Sequence, residues 1–220
     1  MESERFQSVR SHPLVQAFIA RADRYLEAIG YTEHGFAHTA EVSAAAARIL
    51  EGLGFDERAV ELSRVAGYLH DIGNCLGRET HPSAGALIAM EILRELAFPP
   101  EDIAEVMEAI SNHDEKVGFV AGPVSAAVVL ADKADARRSR VRARPENYDI
   151  HDRVNYSVMH SALAADREKQ EIALRLEIDA GLGSPFEYFE IFMPRMLMCR
   201  QAAKALGCDF HLEINGSRML

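Results

Sequence analysis

Among the side chains between residues 38 and 132 that are of the kinds that bind metal ions, six stand out by their positions: His38, His70, Asp71, His81, His113 and Asp132. Imidazoles and carboxylates together suit first-row divalent ions such as iron, manganese, cobalt, nickel or zinc, and the residue types do not choose among them. His70 and Asp71 are adjacent, so on a helix they diverge by about 100° and reach one ion only from two flanks, at a helix end where side chains splay. The short Asp71 could then bridge a second ion. The spacing suggests one site of His38, His70, Asp71 and Asp132 and another of Asp71, His81 and His113, with metals about 3.5 to 4 Å apart.

Helices must position these groups. From residue 12 to about 140, apolar residues recur at threes and fours with recognisable stops. The pattern gives a helix over 12–29 ended by Gly30 and one from near His38 ended by Gly52. A third begins behind the N-cap Asp56 and stops at Gly73; a fourth is opened by Pro82 and Ser83. A fifth follows Pro99-Pro100, and a sixth follows Gly122-Pro123. Most of the candidate ligands therefore fall at helix ends. Unsatisfied carbonyls at a helix C-terminus favour a cation by a few tenths to about 1 kcal/mol. Asp132 lies inside the sixth helix on the face of Val124 and Val128, so its charge must pair or coordinate. After about residue 165 the period changes: Glu171 to Asp179 and Phe210 to Ile214 alternate like strands, with a helix from Phe186 to Leu206 between them. Two such strands, if they pair directly, pair in parallel.

Composition bounds the class. The chain has 220 residues, 48% of them hydrophobic, and 34 acidic against 24 basic side chains give a net charge of -10. That is enough chain for one buried core with a small appendage. The charge opposes an extended nucleic-acid partner, since such proteins concentrate positive charge. The acidic start, Met1-Glu2-Ser3-Glu4-Arg5, is unlike a secretory signal, and no apolar run is long enough to span a membrane, so a cytoplasmic protein is expected. Three cysteines, Cys75, Cys199 and Cys208, form no CxxC pair and imply no disulfide framework.

The order His38, His70-Asp71, His81, His113, Asp132, with the phrase Tyr68-Leu69-His70-Asp71-Ile72-Gly73, resembles the HD-domain superfamily of metal-dependent phosphohydrolases. The resemblance covers roughly residues 30 to 140. It implies a mainly α HD-type helical bundle over residues 1–165, with the β-α-β segment over 166–220 as a small extension packed on it. It also implies four signature ligands, His38, His70, Asp71 and Asp132, and in two-metal members His81 and His113. His34, four residues before His38, matches a further ligand of some members with a third metal.

The activity so implied is cleavage of a phosphate ester or anhydride of a small anionic substrate, possibly a nucleotide, by metal-activated water, with Asp71 and His70 catalytic. The alternatives are an HD-fold mixed-valent di-iron oxygenase and a non-catalytic ligand-sensing module. Asn74 stands where many relatives carry a lysine. Gly118-Phe119-Val120 replaces the Gly-Tyr-Pro turn of members that cleave cyclic dinucleotides. If the sixth helix continues past Asp135, Lys133, Arg137 and Arg140 form one basic stripe for substrate phosphates. His151-Asp152 repeats the dipeptide without spaced partners and fits a surface or the substrate's edge rather than a metal. The methionines Met193, Met196 and Met198 read as packing of the appended helix.

Overall fold

The computed structural model describes residues 3–116 and 118–219; Met1 and Glu2, which open the acidic N-terminal run, lie outside the described residues. Helices α1 (Glu4–Ser11) and α2 (Pro13–Ala28) lead in. Ser3 caps α1 by accepting from the Phe6 N–H, and Phe6 and Val9 turn inward. The short apolar pattern of α1, two buried residues in eight, lies ahead of the periodicity that begins at residue 12. Helix α2 buries Val15, Ile19, Ala22 and Leu26, one stripe at helical spacing.

Helix α3 (Phe36–Leu53) runs one residue past Gly52 and stops at Gly54, which takes the left-handed conformation at φ 80° that glycine adopts without a side-chain penalty. Asp56 caps α4 (Glu57–Leu69) through the Ala59 N–H. The α-helical geometry ends at Leu69, and a 3-10 turn, Ile72–Leu76, carries the chain to α5 (His81–Glu95). Helices α6 (Pro100–Ser111) and α7 (Pro123–Ala134) follow, each with proline in its first turn, where the missing N–H costs nothing.

Helix α7 is apolar on nearly every face because it is shared by two cores. Val124, Ala127, Val128 and Ala131 belong to a core with α1–α6, while Ala126, Val129, Leu130 and Ala134 belong to a second core with the C-terminal elements. Those elements are α8 (Ile150–Ser157), β1 (Val158–Asp166), β2 (Glu171–Ile178), α9 (Pro185–Ala205), β3 (Asp209–Ile214) and β4 (Ser217–Arg218). The sheet order is β1-β2-β3-β4, with β2 and β3 parallel and the other pairs antiparallel. The β-α-β unit is therefore present and is extended by a strand on each side. Ile172, Leu174, Leu176 and Ile178 of β2 and Phe210, Leu212 and Ile214 of β3 face Tyr188, Phe192 and Met196 of α9. Met193, by contrast, remains 40% exposed. Strand β1 has no clean alternation, since Met159 and His160 are both exposed and Ser161 to Leu163 are all half-buried.

The turn after His70-Asp71 lies hard against α5. A Cβ on Gly73 would collide with the His81 carbonyl oxygen and the Gly85 amide nitrogen and sit 2.9 Å from the Gly85 Cα. Only glycine permits this approach. Gly73→Ala should destabilise the protein by about 3 kcal/mol, the upper end of ordinary overpacking penalties. Urea unfolding of the two proteins measures it, and a loss below about 1 kcal/mol would show that the turn has room to move.

Candidate metal centre

Six elements meet at one point. His38 lies in the first turn of α3, His70 caps α4, Asp71 opens the 3-10 turn, and His81 is the first residue of α5. His113 follows α6, and Asp132 is in the last turn of α7. His38 and His70 are fully buried, and Asp71, His81 and His113 are nearly so. Asn74 fixes Asp71 from within the turn, donating to its Oδ1 at 2.8 Å and to its carbonyl oxygen at 3.0 Å.

The partners of the outer ring nitrogens assign the tautomers. His70 Nδ1 lies 2.8 Å from the Gly67 carbonyl oxygen, His81 Nδ1 2.6 Å from that of Arg78, and His113 Nδ1 2.7 Å from that of Ile110. His38 Nδ1 lies 2.7 Å from Asp135 Oδ2. These oxygens only accept, so Nδ1 carries a hydrogen and each ring, in its neutral form, turns an Nε2 lone pair inward. The inward nitrogens meet in pairs, His38 with His70 at 3.2 Å and His81 with His113 at 3.1 Å.

Asp71 joins the two pairs. Its Oδ2 is 3.3 Å from His70 Nε2 and 3.7 Å from His38 Nε2. Its Oδ1 is 3.5 Å from His81 Nε2 and 3.6 Å from His113 Nε2. Asp132 Oδ1 completes the first group, 3.3 Å from His38 Nε2 and 3.6 Å from His70 Nε2. Donors about 2.1 Å from one ion stand roughly 3.0 to 3.4 Å apart at octahedral or tetrahedral angles. The observed separations are close to these, and lone pairs facing one another across about 3 Å are tolerable only around a cation. The donor set fits a divalent metal. His38, His70 and Asp71 form one group able to hold an ion, and Asp71, His81 and His113 another; a third combination is His70, His113 and Asp132.

The electrostatics agree. Burial disfavours charge on His70, yet Asp71 and Asp132 outweigh it and raise the imidazole to about 10, so without metal a proton takes the cation's place. Burial likewise opposes ionisation of Asp71 and Asp132, but His70 beside the first and Lys133 beside the second hold both well below the carboxylate range. Burial, with help from His113 and Arg78, lowers His81 to about 4 and keeps it neutral.

A cavity of about 480 Å³ opens over Asp71, His113 and Asp132. His34 lines it, with its ring 5.3 Å from that of His38, but belongs to none of the three groups able to hold an ion. Lys133 and Arg140 also line it. Lys133 is buried, with Nζ 2.6 Å from Asp132 Oδ2 and 2.8 Å from Glu115 Oε2. The basic stripe does not form as one helical face, because α7 ends at Ala134. Asp135 then leaves helical geometry, with its carboxylate bound to His38 and to Arg137. Arg137 is thereby turned onto Asp135 and is not among the residues lining the cavity.

Sequence reasoning missed Asp135 and Arg78. Asp135 orients the His38 ring, and Arg78 reaches in from the turn, with Nη1 3.2 Å from His81 Nε2 and 3.6 Å from Asp71 Oδ1. An acid three residues after Asp132 was visible as a possible partner for a ligand; Arg78 had no motif to announce it.

Residues 35–139 match the family model described as HD domain. This segment is an HD domain. It contains all six candidate ligands and belongs to a superfamily of metal-dependent phosphohydrolases. An uncharacterized protein of Methanocaldococcus jannaschii is 28% identical over 179 residues, covering 70% of this chain and 68% of its own length. Ribonuclease Y of Oceanobacillus iheyensis is 33% identical over 121 residues, and that of Enterococcus faecalis 32% over 141. These alignments cover 54% and 64% of this chain but only 21% and 26% of the ribonucleases. Among the described residues no helix is long and apolar enough to cross a membrane.

Loss of an outer partner of a ligating imidazole typically weakens a metal site about 10- to 100-fold. Asp135→Asn should do so here, as measured by chelator competition; unchanged affinity would remove Asp135 from the site's support.

Proposed function

We propose that this chain is a hydrolase that uses two divalent metal ions to cleave a phosphate ester or anhydride of a small anionic molecule. The observation that carries this is the division of Asp71, one carboxylate oxygen toward His38 and His70 and the other toward His81 and His113. His38, His70, Asp71 and Asp132 would hold one ion, and Asp71, His81 and His113 the other. Metals bound there supply a water nucleophilic at neutral pH and positive charge for the phosphoryl oxygens.

The chain's own residues bind and orient. Lys133 pins Asp132 Oδ2, leaving Oδ1 toward the histidines, and adds a buried positive charge beside the cavity. Asn74 accepts from Arg78 Nη1 at 3.2 Å, so the arginine, rather than a lysine at position 74, brings a phosphate-binding cation to the centre. Arg140 is fixed by the carbonyl oxygens of Glu33 and Asp135 and lines the same cavity.

The ribonuclease Y relatives carry a nuclease's name over the shared segment. A net charge of -10 and carboxylates on the cavity's outer wall disfavour a polyanion here, so the proposed substrate is small.

Asp71→Ala tests the reading. Both metal uptake and phosphate release should fall by more than the roughly 10- to 100-fold typical of outer-shell losses, and full activity in the variant would refute the assignment. Phosphate release by the unaltered protein should persist without oxygen. Dependence on oxygen would indicate the di-iron oxygenase chemistry instead, and a ligand recovered intact would indicate a sensor.

A further inference from the structure

The cavity over the metal centre is closed on one side by residues that lie outside the HD segment. Asp149, His151, Asp152 and Asn155 come from α8 and its N-cap, and Phe192 and Arg195 come from α9. The sheet and α9 pack on α7 through the second core, so this wall is tied to the helix that carries Asp132. Arg195 reinforces the tie: it lies over the Phe192 ring at 4.5 Å and donates from Nε at 3.3 Å to Glu115, which in turn pairs with Lys133 of α7 at 2.8 Å.

Near the candidate ligands stand the cations Arg78, Lys133 and Arg140, and Arg195 from α9 is held by Glu115. The α8 side presents acceptors. Asp149 uses Oδ1 to cap α8 through the Asp152 N–H at 2.8 Å, which leaves its second oxygen available. Asn155 spends its Nδ2 on the His151 carbonyl oxygen, leaving its own Oδ1. Asp152 is 8% exposed, and among the described residues neither it nor Asp149 has a lysine or arginine as an ion-pair partner. Burial and the neighbouring Asp149 push the Asp152 carboxyl up from its ordinary value. Two such carboxylates in a cavity wall are complementary to N–H or O–H donors brought by a ligand.

We infer that the α8 wall, centred on Asp149 and Asp152, recognises the organic part of the substrate, which carries amino or hydroxyl donors at the end remote from its phosphate. This rests on the phosphohydrolase reading and adds a substrate class to it: a phosphomonoester whose alcohol portion ends in hydrogen-bond donors. The cavity, at about 480 Å³, is of the size that holds a complete small ligand rather than a bare phosphate.

Three esters with five-carbon alcohol portions test it: pentyl phosphate, ribose 5-phosphate and 5-aminopentyl phosphate. Binding to the metal-loaded protein is measured by calorimetry, and phosphate release is measured separately. At least one donor-bearing ester should bind about tenfold more tightly than pentyl phosphate, as one charge-assisted hydrogen bond allows. Preference for the ribose ester assigns hydroxyl recognition, and preference for the aminopentyl ester assigns ammonium recognition. The preference should fall to within about twofold in Asp152→Asn and in Asp149→Asn, the second keeping a side chain that caps helices as well as aspartate does. Equal binding of all three esters, or a preference that survives in both variants with native melting temperatures, overturns the inference. If none of the esters releases phosphate yet the binding preference appears and is lost in the variants, the wall stands and the hydrolase reading fails.

Discussion

Four imidazoles whose outer nitrogens are committed to fixed acceptors must turn their inner nitrogens toward one another, and that constraint organises the centre of this protein. Carbonyl oxygens of Gly67, Arg78 and Ile110 and the carboxylate of Asp135 hold the rings. Buried lone pairs at about 3 Å are unfavourable alone, and the anionic charge of Asp71 and Asp132 adds to the demand for a cation. In the metal-free protein a proton on His70 meets part of that demand. A divalent ion would meet it more fully, which is why the cluster is coherent as a metal site.

The fold serves this constraint by stopping helices at the right places. His70 is delivered by the end of α4, His113 by the end of α6, and His81 by the start of α5, so each ring is held by backbone that helical hydrogen bonding does not fully use. Gly73 lets the turn carrying Asp71 approach α5 closely enough for one carboxylate to face both histidine pairs. Helix α7 carries Asp132 between two cores, which links the position of a ligand to the packing of the C-terminal sheet.

Much of this was legible in the sequence because helical period, proline and glycine punctuation and the ordered ligands all point the same way. Asp56, Pro82, Pro100 and Pro123 mark the starts of α4 to α7; of the candidate ligands His81 lies at such a start, while His70, His113 and Asp132 come at the far ends of α4, α6 and α7. What escaped depended on tertiary context. Strand β1 is alanine-rich and half-buried on both faces, so it shows no alternation; it is held by pairing with β2 rather than by its own pattern. The basic stripe presumed that α7 continues, whereas Asp135 leaves the helix and binds both His38 and Arg137. Arg78 enters the centre through a turn whose course no periodicity records. For α8 the sequence offered only His151-Asp152 as a surface or the substrate's edge; both residues line the cavity, and Asp149 and Asn155 join them there without a motif to announce them.

The most direct test of the account is a calorimetric titration of chelated, metal-free protein with manganese or zinc, run in two buffers of different ionisation enthalpy. Imidazoles bind metal only when unprotonated, and His70 is raised to about 10 in the metal-free state, so uptake should release protons and apparent affinity should strengthen as pH rises toward that value. Two ions bound per chain with net proton release is the expected result. Absence of binding at neutral pH, or binding that releases no proton, would contradict the claim that these four rings and two carboxylates form a metal centre.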